Sequence, residues 1–311
     1  MSKMFKLCCA LGLAVLLGAP PAQAQWTHTG GPFAGFIFSM AEDPSGAVFA
    51  ATGAGGVFKR PTLGSAWLAV GEELSTAGVY CVVSHPAGYI FAGTDQGVYR
   101  SADGGLTWTN TSAGITNSFV NALTICSSGY LFAGTGGGGV FRSIDYGATW
   151  VSISAGLTNN VILSLATVNG ETIIAGTDGA GVYYSNYDGA YWLKAGPGIE
   201  DVVVTSLGVD ASGAIYVGSR GEGIFRGANI GAPFHAVNNG FTGTAVYSID
   251  VCPAGRILIG TDRGAFESYS SGASWSRMHP HAEQLVVVSI LAQAGGNIVA
   301  GTNGFGVYET H

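Results

Sequence analysis

The sequence predicts an all-β fold: a single seven-bladed β-propeller with four antiparallel strands per blade. Three observations point to it. The six tryptophans, Trp26, Trp67, Trp108, Trp150, Trp192 and Trp275, are spaced 41, 41, 42, 42 and 83 residues apart, and Phe234 fills the doubled gap. A fixed period of this size marks a repeat architecture. Each unit carries four short strand patterns with turn signals between them, as propeller blades do. Finally, the two ends of the chain are offset. Trp26 opens a fourth strand with no first three before it, while residues 285–310 supply three strands and no fourth. The N-terminal strand is therefore expected to close the last blade and remove two exposed edges.

Within each unit the elements follow one order. An apolar first strand (79–84, 120–125, 162–167, 246–251) runs into a turn that ends in glycine: Gly46, Gly88, Gly129, Gly170, Gly213, Gly255 or Gly296. Glycine there supplies the positive φ of a tight hairpin. The second strand ends in a small residue and a hydroxyl, from Ala51-Thr52 and Gly93-Thr94 through Gly301-Thr302. A short loop leads to the third strand, and a turn before the ladder aromatic begins the fourth. Arg60, Arg100, Arg142 and Arg226 are read as one recurring structural position, spread around the ring and unable to converge on one ligand.

The first 24 residues stand apart. Lys3 and Lys6 precede an apolar run over 7–17, and Ala22-Gln23-Ala24 forms a small-residue cleavage site. This is the pattern of a secretory signal peptide, with an apolar run too short to span a bilayer. The expected division is a signal peptide over 1–24 and a propeller over 25–311. The mature chain would be secreted or periplasmic, soluble and monomeric. Without residues 1–24, ten basic side chains face 19 acidic ones, a net charge of −9. That balance excludes nucleic acid and anionic membrane as expected partners. Cys126 and Cys252 share a repeat position and Cys81 lies four residues earlier in its unit, so none is placed to form a disulfide.

The turn before the ladder aromatic holds a second motif. Ser101-Ala102-Asp103-Gly104-Gly105-Leu106-Thr107-Trp108 and Ser143-Ile144-Asp145-Tyr146-Gly147-Ala148-Thr149-Trp150 both read Ser-x-Asp-x-Gly-x-Thr-Trp. Four eroded copies keep the fifth-position glycine, at Gly64, Gly189, Gly231 and Gly272. Aspartate and serine at such turns accept backbone hydrogen bonds, so a structural role is expected for Ser101, Asp103, Gly105, Trp108, Ser143, Asp145, Gly147 and Trp150. On these motifs the chain resembles the Asp-box (BNR) repeat propellers, which include sialidases, xyloglucanases, sortilin-type receptors and plant-type photosystem assembly factors. The resemblance covers essentially the whole mature chain and implies the fold. It leaves function open, because the group holds enzymes and non-enzymes alike.

A sialidase of this kind needs three converging arginines, the first in an Arg-Ile-Pro motif of the first blade. Residues 30–39 hold no arginine. Xyloglucanases of this repeat class work in a cleft between two propellers, and one is present here. An assembly factor like those of photosynthetic membranes would want a basic patch. The Gly134–Gly139 run matches a dinucleotide fingerprint but leads into a strand instead of a helix, so no cofactor is expected. No metal is expected either, since His279-Pro280-His281 with Glu283 lacks a definite third ligand.

The up-and-down strands sort the loops onto two faces. One carries the hairpin turns and Asp-boxes; the other carries the second-to-third-strand loops and the blade-to-blade connections, near the channel. On that second face blades two to four offer Asp95, Gln96, Asn117, Phe119, Asn159, Asn160 and Asp178. Blades five to seven offer a denser charged set, and Arg220, Glu222, Asp262, Arg263, His279 and His281 are the candidate ligand-binding residues. Arg220 and Arg263, at corresponding loops of adjacent blades, could clamp a carboxylate. The expected function is a non-catalytic propeller that binds a glycan or an extracellular protein through this face. The alternative is a glycan-active enzyme, a hydrolase or lyase, using carboxylates such as Asp178, Glu222 and Asp262.

Overall fold

The computed structural model describes residues 26–33, 35–186, 190–278 and 285–310. The expected signal segment over 1–24, Gly189, His279, His281 and Glu283 lie outside them. The described chain forms seven four-stranded antiparallel sheets arranged as a ring, with one helical turn, the 3-10 segment Glu72–Leu74. Blades one to six span 37–70, 79–110, 120–152, 162–194, 204–236 and 246–277. Blade seven combines Val287–Ala292, Ile298–Thr302 and Val307–Thr310 with Trp26–His28, in the order N-terminal strand outermost. Trp26 pairs with Thr310, Thr27 with Glu309 and His28 with Tyr308, as the offset ends require.

The first strand of each blade lines the channel, and the second is packed between neighbouring blades. Second strands such as Ile90–Thr94 and Leu131–Thr135 are buried along their whole length, which is why they read as continuous apolar runs. Their terminal hydroxyls are stapled the same way in all seven blades. Thr52, Thr94, Thr135, Thr177, Ser219, Thr261 and Thr302 each donate to the carbonyl of the glycine that ends the following loop, at 2.7–3.0 Å. Every hairpin-turn glycine has φ between +75° and +90°, the conformation that favours glycine.

The ladder aromatics join blades. The Trp150, Trp192, Phe234 and Trp275 amides donate to carbonyls of the preceding blade's loop at 2.8 Å. The indole N–H groups of Trp150, Trp192 and Trp275 reach carbonyls of the preceding blade's fourth-strand region. In the complete Asp-boxes, Ser101 Oγ donates to Asp103 and accepts from Gly105 N–H. Asp103 in turn accepts the Thr107 amide and hydroxyl. Ser143, Asp145, Gly147 and Thr149 repeat these bonds.

One reading is corrected by the register. Phe49 pairs with Lys59 as Phe91 pairs with Arg100, so Lys59, and not Arg60, occupies the Arg100, Arg142 and Arg226 position. Arg60 instead takes the place of the box serine. It is buried, lies over Trp67 and forms an ion pair with Glu309 of blade seven. This joint between the last and first blades has the smallest apolar cluster of the ring, Ile37, Ala50, Val299 and Val307. The ion pair stands where other joints have hydrocarbon. The three cysteines are free thiols; burial pushes Cys81 up to about 12, whereas Cys252 is only half-buried.

Candidate functional site

All seven first strands carry a β-bulge at their second residue. A bulge inserts an unpaired residue and re-aims its side chain. The seven bulge residues are Phe38, Tyr80, Asn121, Leu163, Thr205, Tyr247 and Val288, and together they line the channel mouth. The cavity there measures about 390 Å³ and adds Phe36, Arg220, Val286 and Asn303 to its wall. Pockets of ~300–1,000 Å³ are the usual size for small ligands.

A second tier sits above the bulges. The residue that follows each stapled hydroxyl donates its amide to the carbonyl just before the bulged strand, from Gly53 to Phe36 through Asn303 to Val286. These seven loop residues are Gly53, Asp95, Gly136, Asp178, Arg220, Asp262 and Asn303. The loop backbone is thereby held rigid at a position where the repeat leaves the side chain free to vary.

The mouth has two unlike halves. Blades one to three contribute an aromatic wall: Phe36 stacks on Phe38 with centroids 5.4 Å apart, Phe38 meets Tyr80 at 5.4 Å, and Tyr80 meets Phe119 at 4.5 Å. Glycines make room for the rings. A Cβ on Gly53 would sit 2.9 Å from Phe38, and one on Gly136 would sit 3.3 Å from Phe119. Phe36 and Phe119 remain 43% and 39% exposed. Blades four to six contribute charge. Arg220 lies 3.7 Å from Asp178. Asp262 accepts the Thr244 and Ala245 amides and the Thr244 hydroxyl. Burial and the Asp262 charge push the Tyr247 hydroxyl above the ordinary tyrosine value, and Arg220 partly offsets them.

Of the sequence-predicted residues, the structure brings Arg220 to the cavity wall and places Asp262 within electrostatic reach of Tyr247. Glu222 and Arg263 are exposed and do not line the cavity. The two arginines therefore share a face without converging, and Arg220 already faces a carboxylate. The sequence reading missed Phe36, Phe38, Tyr80 and Tyr247 and placed Phe119 among polar loop residues. The available signal was the glycine at Gly53 and Gly136, where other blades carry a polar side chain.

Two other depressions lie away from the mouth. One of about 580 Å³ lies on the hairpin-turn face beside Glu42, Asp43 and Ala294. Asp43 there accepts from the Ser45 amide and hydroxyl and from Ala47, while Glu42 accepts the Ala294 amide. The far end of the channel holds about 280 Å³ and includes Asp250, whose carboxyl burial pushes up against the Ala292 hydrogen bond. Among the described residues no cluster of metal-ligating side chains is found, and no helix is long and apolar enough to cross a membrane.

No family model and no curated protein matches the sequence. Solved structures similar to it include the extracellular domain of the one-component system BT4673 from B. thetaiotaomicron, at 19% identity and a TM-score of 0.77. That match covers 93% of this chain, which spans only 40% of that domain's length. YCF48 from Cyanidioschyzon merolae matches at 14% identity and TM-score 0.73 over 92% and 98% of the two chains, and a structure of YCF48 bound to D1 peptide matches similarly. A xyloglucanase from Xanthomonas campestris matches at 16% identity and TM-score 0.71, over 92% of this chain and 53% of the enzyme. At these identities the likeness is one of fold.

Proposed function

We propose that this protein is a secreted or periplasmic Asp-box propeller that binds a carbohydrate or a protein, without catalysis, through the mouth of its channel. Residues 1–24 would be its cleaved signal peptide and 25–311 the propeller. The observation that carries the reading is the division of the mouth into an aromatic half and a charged half, built at the bulge and loop positions where the blades differ. Aromatic faces supply area while a few placed polar groups fix orientation, the usual composition of a binding pocket. Arg220, Asp262 and Tyr247 would orient the ligand, with the exposed Glu222 and Arg263 around them; His279 and His281 stay candidates from the sequence alone. That the same fold serves an enzyme acting on xyloglucan and a protein that binds a peptide supports both ligand classes.

The test is to screen the mature protein on glycan and peptide arrays beside a sialidase and endoglucanase activity assay. Retention of a ligand without turnover is the expected result. Bond cleavage would move the protein to the alternative, a glycan-active enzyme using carboxylates such as Asp178, Glu222 and Asp262. Absence of binding on both arrays would overturn the proposal.

A further inference from the structure

Eight aromatic side chains elsewhere in the ring carry a cation over their rings, whereas the aromatic half of the mouth has none. Eight cation–aromatic pairs occur among the described residues, all between side chains of the second to fourth strands and their turns, such as Lys59 over Phe49, Arg100 over Tyr89 and Arg226 over Tyr216. Phe36, Phe38, Tyr80 and Phe119 take part in none of them, although their rings form a continuous wall and two are well exposed.

The charges around the wall point the same way. The loop tier holds three aspartates, Asp95, Asp178 and Asp262, against one arginine. Asp178 faces Arg220, and Asp262 is satisfied by Thr244 and Ala245. Asp95, on the aromatic side, is different: its Oδ1 is screened from solvent and no protein donor reaches it. Its negative charge is felt at Tyr80, whose hydroxyl is pushed up first by burial and then by Asp95. A buried carboxylate oxygen without a protein donor, beside part-exposed aromatic faces, is an environment that attracts a cation.

Building on the mouth as a binding site, we infer that the wall of Phe36, Phe38, Tyr80 and Phe119, with Asp95 beside it, seats a lysine or arginine side chain presented by a peptide segment of a partner protein. A basic side chain suits the shape of the site as well as its charge. Its aliphatic stem covers apolar surface while the head reaches the carboxylate. An amino sugar, by contrast, carries its ammonium directly on a polar ring and has no such stem. The acidic balance of the mature chain adds a long-range attraction for a basic segment.

The test is calorimetric titration of the mature protein with short acetylated, amidated peptides of the form Gly-Ser-X-Ser-Gly, where X is lysine, arginine, norleucine or citrulline. Lysine and arginine peptides are expected to bind, with norleucine and citrulline weaker by about tenfold or more. Added salt should weaken the basic peptides selectively. Asp95→Asn should remove that selectivity and leave norleucine unchanged. Phe36→Ala, at an exposed ring, should weaken all four in a protein that still melts as the parent does. Equal binding of lysine and norleucine, or unaltered lysine binding in Asp95→Asn, overturns the assignment. So does glucosamine binding without peptide binding. An anionic or neutral ligand that is lost in Phe36→Ala would overturn the cation but keep the mouth as the site. A ligand unaffected by Phe36→Ala would remove the mouth itself.

Discussion

The Asp-box rim and the channel mouth are cut from the same repeat and use it in opposite ways. At the rim the side chains recur and their polar atoms are consumed within the turn, as with Ser101, Asp103 and Thr107. At the mouth the backbone recurs, with seven bulges and seven stapled hydroxyls, while the side chain it presents changes from blade to blade. Repetition of side chains builds the ring; repetition of backbone with variable side chains builds a surface that can recognise something. The difference explains why two perfect motifs say little about a ligand.

The comparison can be broken most forcefully at the joint that closes the ring. Deleting residues 26–30 reopens two strand edges and should abolish cooperative unfolding at the parent melting temperature, as followed by calorimetry. Arg60→Ala strips the buried Glu309 of its guanidinium in the joint with the least hydrocarbon. The expected loss is about 3–5 kcal/mol by denaturant unfolding. A loss below ~1 kcal/mol would show that the apolar contacts close the ring alone.

Smaller effects separate rim from mouth. The Thr107 hydroxyl and amide hold the Asp103 carboxyl at about 2, helped by Ser101. For Asp145, burial opposes ionisation but the Thr149 and Ser143 hydrogen bonds outweigh it, again giving about 2. Because both values are depressed, the stability they contribute is complete above the unfolded-state value near ~3.9 and is lost as the pH falls through it toward about 2. Asp145→Asn should flatten the melting temperature against pH in that window. An unchanged acid profile would mean the box carboxylates are not ionised participants. Smallest of all, Arg220→Ala should cost under about 0.5 kcal/mol.

The ring was legible because its signals lie in single residues at a fixed period. Trp150, Gly88 and Thr94 each have one conformational or packing task that few other residues perform. The mouth was not, because a bulge breaks the alternation on which strand reading depends. Val79-Tyr80-Cys81-Val82 looks like a continuous buried strand, and nothing in it says that Tyr80 turns into the channel while Val79 and Val82 are buried. Charged loop residues are the more conspicuous signal, and of these Arg220 reaches the cavity wall while Glu222 and Arg263 do not. The misplaced Arg60 has a similar origin: adjacent Lys59 and Arg60 look interchangeable until the strand register separates an exposed stacking position from a buried one.

The central claim, that the rim holds the ring together and the mouth recognises the ligand, is tested most directly by measuring melting temperature and array binding together in Phe36→Ala and Asp145→Ala. The account predicts a double separation. Phe36→Ala should lose the ligand and keep its melting temperature, while Asp145→Ala should melt earlier and keep the ligand. Binding lost in Asp145→Ala with the melting temperature intact, or retained in Phe36→Ala, would contradict it.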